Sequence, residues 1–500
     1  MISMASLSRS HHRCKLAKLL TIYFKSCGLA AKAFDTLHAL GITMSQKWVY
    51  KGIDALADQQ QVLLLDDIKK YPWFGMHDNI NIPFRVFEQR LSNQNHFDSG
   101  TAATILILKN PLTRWPDRDL RLQQKALGAG DLISGKDIFR LEAESGPRIF
   151  PRAVSLVLRF LIESPGFDFE SYAFKDDSLF SPRPLGRQLP TGREHIPCQY
   201  VLKTAHIEEA SYEGNERVLV EWWKQLEHST PSGHRKLGET QTIVWGGDQL
   251  TVSRLRGIQT FHCEDHNSFD RLDFLVPVFG WFHALMAVEH SIHAQYYGTQ
   301  QGFGLVHAFD LLKRKGIHSP SVQGNFHNHL REALLHVTEA RFRDMWCIVG
   351  KVDTLRELRN CSPVELHSLA SRIVSEYASS KALRNMVVQE ERCDDLLYQS
   401  VQMARDLLDY VLLDGALSSG DIGLLEDLFP RLLFRFIGGG SKNYSTEVLE
   451  LLQGLHREWP ADFKCVFSVL FIPHASADPP KGLHPTKLLA CEHDRPTEFI

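Results

Sequence analysis

The chain lacks a CxxC pair, and its nine cysteines (14, 27, 198, 263, 347, 361, 393, 465 and 491) are scattered, odd in number, over 500 residues. That pattern excludes a disulfide framework and fits reduced thiols in an intracellular compartment. No apolar run reaches the roughly 18 residues of a membrane span; even FLVPVFGWFHALMAV is short and ends at Glu289-His290. An excess of one charge is missing too, since 56 basic and 59 acidic side chains leave a formal charge of -3. A uniformly basic nucleic-acid binder is thereby excluded, and any such surface must be local. There is no GxSxG elbow, no P-loop and no repeat of fixed period, which removes three common architectures with their chemistries.

What remains is a globular chain. Its 43% hydrophobic content is ample for a core, and its length suggests about three domain-sized units. Residues 1–65 read as a basic helical region, with helices broken at Gly41 and Ser45 capping the next one. Residues 66–110 carry the first strands: YPWFGMHDNINIPFRVFEQRL followed by GTAATILIL predicts three successive strands. Residues 111–238 form an irregular Pro-rich and helical insertion, and 239–260 a strand and helix around TIVWGGDQLT. Residues 261–436 read as a helical insertion, and 437–500 as a C-terminal helix and tail.

Three carboxylates stand out. Asp78 closes one predicted strand, Asp248 closes another, and Glu447 lies on the helix YSTEVLELL. Neighbouring strands would bring their terminal acids to one sheet edge, where a helical glutamate completes the site. Hard cations such as Mg²⁺ or Mn²⁺ bind carboxylate and water oxygens, and paired ions activate water in phosphodiester cleavage. A second reading stands beside each acid. Asp248 at a strand-to-helix junction is also a good helix N-cap, Asp78 in HDN suits a turn, and Glu447 suits a solvated first turn.

Other polar groups carry weaker chemistry. His262, Cys263 and His266 have part of a zinc set without a fourth ligand at finger spacing. His283, His290 and His293 fall near one helical face, where hydrogen-bonded rim histidines are the simpler reading. Six Lys/Arg precede the first acid, Asp35, so the N-terminus reads as a basic lead-in, with mitochondrial targeting the alternative. Lys15, Lys18, Lys25 and Lys32 there, with Lys47, Trp48, Tyr50 and Lys51 on the next helix, suit either DNA contact or a two-helix packing unit.

The segments WGGDQLTVSRLRGIQ, FDRLDFLVPVFGWFHALM, HAQYYGTQQGFGLVHAFDLLKRKGI and GGGSKNYSTEVLELL, in that order, resemble a family of uncharacterised proteins expanded in mushroom-forming fungi and marked by Gly-Asp-Gln-Leu-Thr. The similarity runs over roughly residues 15 to 495. The family looks transposon-derived, and the order of elements is similar to the ribonuclease-H-like core of DDE transposases. The resemblance implies an α/β fold with a ribonuclease-H-like core of discontinuous segments and a large, mostly helical insertion. It also implies a DNA-directed, metal-dependent nuclease or integrase with a nuclear location, Asp78, Asp248 and Glu447 acting as catalytic acids on Mg²⁺ or Mn²⁺. Glu492 in ACEHD is a rival for the third acid. A truncated or inactive copy is a further expectation, because the family's members are commonly longer at both ends. The competing expectation is a noncatalytic nucleic-acid or protein interaction scaffold.

Overall fold

The computed structural model describes residues 14–84, 96–109, 115–181, 187–189, 195–298, 302–314, 326–389 and 394–471. The protein is mixed α/β and divides into two compact units. The first comprises residues 1–118, 194–277 and 485–500, and the second residues 119–193 and 278–484.

The N-terminal helices Lys15–Ser26 (α1), Ala31–Ala39 (α2) and Gln46–Asp67 (α3) begin the first unit. Ser45 caps the third through its side chain, which accepts from the Trp48 amide. Lys18 lies over the Trp48 ring and Lys25 over Tyr50, so two of the lead-in lysines stack on aromatics of the third helix.

The five-stranded sheet consists of β1 (Trp73–Phe84), β2 (His96–Ile107), β3 (Cys198–Val201), β4 (Ile243–Gly247) and β5 (Leu275–Phe279), in the order β3-β2-β1-β4-β5. β1 is antiparallel to β2, β2 to β3, and β1 runs parallel to β4 with Gly75 opposite Trp245 and Met76 opposite Gly246. Where the sequence suggests three strands before residue 110, the described residues form two long ones, because NINIPF continues β1 in register to Phe84 rather than starting anew. β3 and β5 fall in stretches read as insertions. LVPVF is buried at all five positions, and a short, wholly apolar run has no period to separate strand from helix.

The helices Tyr212–Gln225 (α6) and Pro231–Thr240 (α7), and the helix Gln249–Phe261 (α8) that follows β4, belong to this unit. Trp73, Trp222, Trp223 and Trp245 fill its core with Ile105, Ile107, Leu237, Leu255 and Phe274. Trp223 meets Trp245 edge-on at 5.3 Å, an arrangement that contributes about 1 kcal/mol beyond the area buried.

The second unit is helical, containing Gly135–Ile162 (α5, the longest, preceded by α4, Arg118–Gly128), Trp281–Tyr296 (α9), Leu305–Arg314 (α10), His327–Gly350 (α11), Ser380–Gln389 (α12), Asp395–Ser419 (α13), Ile422–Gly438 (α14) and Lys442–Gln453 (α15) among others. Among the described residues no helix is long and apolar enough to cross a membrane.

Gly75 marks how tightly β1 meets β4. A β-carbon there would lie 2.3 Å from Trp245 Cζ3, and the indole is fully buried, with little room to yield. We predict that Gly75→Ala destabilises the protein by about 1–3 kcal/mol in urea unfolding; a change within about 0.5 kcal/mol, as for surface substitutions, would mean that the indole shifts freely.

Candidate functional site

The candidate site lies where β4 ends beside the middle of β1, because Asp78 does not close a strand as its sequence suggests: β1 runs on past it to Phe84. Carrying the parallel register of Met76 and Gly246 two residues onward sets Asp78 level with Asp248. The strands are still close at that point, since a β-carbon on Gly247 would lie 3.6 Å from the His77 carbonyl oxygen. Both aspartates are half-buried. The glycine pair serves the protein's own packing: side chains at 246 and 247 would strike Phe74 and Thr251 respectively.

Asp248 is the N-cap of α8. Its Oδ1 accepts from the Thr251 amide at 2.7 Å, with extended backbone at the cap, so the capping reading of the sequence is realised. Oδ2 accepts no hydrogen bond from the described residues. Asp78 Oδ1 accepts from the Asn79 amide at 2.8 Å, but HDN is not the turn that its sequence suggests, since all three residues pair with β2 within β1.

On the opposite face of β1 from Asp78 lies His77, wholly buried. Trp245 Nε1 donates to its Nδ1 at 2.8 Å. An accepting Nδ1 leaves the ring neutral with its proton on Nε2. That nitrogen lies 2.9 Å from Glu209 Oε2, though neither atom finds the geometry of a regular hydrogen bond. Glu209 is itself 1% exposed. Thr251 Oγ1 donates to Oε1 at 3.1 Å, while Asn215 and Arg254 donate to its main-chain carbonyl. Thr251 therefore serves Asp248 through its amide and Glu209 through its hydroxyl.

Glu447 lies on α15, 2% exposed, in the second compact unit, whereas Asp78 and Asp248 are in the first. Glu492 is outside the described residues. Among the described residues no group of three or more His, Cys, Asp or Glu side chains is arranged to hold a metal ion. The partial zinc set is otherwise engaged: His262 Nδ1 meets Asp265 at 2.6 Å, and Cys263 is exposed. Of the three histidines on α9, His293 packs beside Tyr297 and Phe309, and burial holds its imidazole below the usual value.

The His77–Glu209 pair was not among the residues the sequence singled out. Only the strand alternation offered a signal, placing a histidine on the core face wherever Asp78 faces outward.

A family of unknown function (DUF6589) matches residues 131–469, well over half of the chain, and the chain belongs to it. The matched segment includes Glu209, Asp248 and Glu447, while Asp78 and Glu492 lie outside it. No curated protein matches the chain, and no solved structure does.

Two roles at one place make separable demands on stability. Asp248→Ala should lose about 1 kcal/mol through its cap, and Asp248→Asn only a few tenths, because asparagine caps nearly as well. Glu209→Ala should lose about 3 kcal/mol or more, since it strands the Thr251 hydroxyl and the His77 proton in the interior. Urea unfolding of the three variants checks both; equal losses for Asn and Ala at 248 would remove the cap from the account.

Proposed function

We propose that the chain is a transposase-derived, metal-dependent nuclease or integrase-like protein acting on DNA phosphodiesters through a ribonuclease-H-like core. One observation carries this reading: Asp78, midway along β1, and Asp248, the residue that follows the adjacent parallel strand β4, stand at the same level when the printed register is carried two residues on. The antiparallel strands β1, β2 and β3, with the later strand β4 parallel to β1 and followed by an aspartate and a helix, support this reading.

The donors suit a hard divalent cation. Asp248 spends Oδ1 on its cap and keeps Oδ2 in hand, and Mg²⁺ is commonly held by one or two carboxylates with water completing the octahedron. Asp78 and Asp248 would hold Mg²⁺ or Mn²⁺, which supplies an activated water and Lewis-acid stabilisation of the leaving oxygen when bound. The Thr251 amide fixes the bearing of Asp248. The third acid that the resemblance implies, Glu447 or its rival Glu492, is left outside this two-carboxylate site. The noncatalytic scaffold is the second reading, favoured by the engagement of Asp248 as a cap and by the lack of a three-acid group among the described residues.

Nicking of supercoiled plasmid by the purified protein separates the two. With Mn²⁺, the wild type should nick, and both Asp78→Asn and Asp248→Asn should abolish it while leaving metal-free stability within about 0.5 kcal/mol of the wild type. Mn²⁺ should also raise the wild-type melting temperature, because a ligand of the folded state stabilises it, and the shift should vanish in both variants. Glu447→Gln reports on the third acid alone. Undiminished nicking and an unchanged metal shift in a folded Asp248→Asn would remove the shared site.

A further inference from the structure

The helical unit contains a cavity of about 550 Å³ whose wall carries four arginines, Arg384, Arg405, Arg431 and Arg435, against three carboxylates, Glu142, Asp406 and Asp409. Its size lies in the range of small-molecule sites. The distribution of charge matters more than the count. Arg431 donates to Asp409 at 2.8 Å, with Glu142 3.7 Å away, so its charge is compensated. Arg405 and Arg435 instead converge on one carboxylate, Asp406, to which the Tyr296 hydroxyl also donates. Arg435 and Asp406 are deeply buried, their side chains 11% and 4% exposed.

Two guanidinium groups thus share a single counter-ion in the interior. Burial, reinforced by the Arg405 charge, holds the Arg435 guanidinium below its ordinary value. Arg384, on the same wall, is exposed and makes no hydrogen bond or ion pair within the described residues. Two guanidinium groups on one buried carboxylate leave positive charge under-compensated at low dielectric, which an anion in the cavity relieves, and the exposed Arg384 adds a solvated cation to the same wall. Guanidinium groups already oriented by Asp406, Gln295 and Ser380 are preorganised to receive one.

The same wall bears Phe139 and Phe434, which stack at 5.2 Å and 29° and are 64% and 36% exposed. Exposed aromatic faces on the same wall as arginines suit a neutral flat ring that carries an anionic substituent, the ring stacking on the phenyls and the substituent meeting the guanidinium groups.

We propose that this cavity binds a small anion bearing a flat ring, of the mononucleotide or aromatic carboxylate type, with Arg384, Arg405 and Arg435 on the anionic group and the Phe139–Phe434 pair on the ring. This site lies wholly within the helical unit and stands independently of the nuclease reading.

Isothermal titration of the full chain with AMP, inorganic phosphate, adenosine and benzoate tests it. AMP or benzoate should bind roughly tenfold or more tightly than phosphate or adenosine, and the tighter of the two identifies the source of the anion. Arg384→Gln, which breaks no internal contact, should weaken that ligand roughly tenfold. Phe434→Leu should weaken it while leaving any phosphate binding unchanged, and circular dichroism should show both variants folded. The proposal is overturned if neither AMP nor benzoate binds, if phosphate binds as tightly as both, or if both folded variants bind as the wild type does.

Discussion

A carboxylate sealed beneath the end of a sheet needs donors around it, because the protein must replace the water it has excluded. Glu209 imposes that constraint here. Its side chain draws in the Thr251 hydroxyl and faces the proton-bearing nitrogen of His77, and its main-chain carbonyl takes Asn215 and Arg254. The far side of the imidazole is then closed by the Trp245 indole. One acid thereby ties β1, β4 and the openings of α6 and α8 to a common point. Since His77 and Asp78 alternate across β1, locking the buried histidine also fixes the bearing of the aspartate on the other face. The acid that matters most for geometry is not one of the acids proposed to do chemistry.

The strand-glycine-aspartate-helix junction was legible in TIVWGGDQLT because every part of it is local. β-branched residues favour the strand, the glycines permit close approach, and aspartate satisfies the first free amides. The Ser45 cap was legible for the same reason. Non-local pairings were not. Glu209 sits in a stretch with no periodicity, and nothing near it announces that His77 will lie 2.9 Å away. β5 was hidden in a continuous apolar run, and the two-strand hairpin was divided too finely because Asp78 resembles a turn residue from sequence alone. Of the candidate site, the placement of Asp248 at a strand-to-helix junction was legible, whereas the mid-strand position of Asp78 and the buried His77–Glu209 pair beneath it were not.

The helical unit handles its buried charge differently. Along α13, Asp409 meets Arg431 and Asp414 takes a two-pronged bond from Arg331, while Glu289 on α9 is held by His327 and the Tyr410 hydroxyl. Burial first, and Glu289 second, push the Tyr410 phenol well above its ordinary value, so it remains a donor at any physiological pH. Each of these acids has its own partner set, which a slip of the helix by one residue would break. Asp406 departs from the pattern by serving two arginines at once. Because that carboxylate is deeply buried and lines the cavity, the shared pair is where an external anion has the most to contribute.

The capping and metal-holding readings of Asp248 are often set against each other, yet a carboxylate has two oxygens. The cap occupies Oδ1 and restrains the side chain to one orientation. A free aspartate would lose that rotational freedom only on binding, at the expense of affinity. A capped one has lost it on folding, and Oδ2 is left pointing from a fixed pivot. The helix amide also withdraws a little negative charge, which eases the approach of Asp78 at the same level on the neighbouring strand. An aspartate is therefore a better residue for this position than either role alone would require: asparagine keeps the cap but loses the anionic oxygen, and glutamate keeps the anion but reaches past the amide it must satisfy.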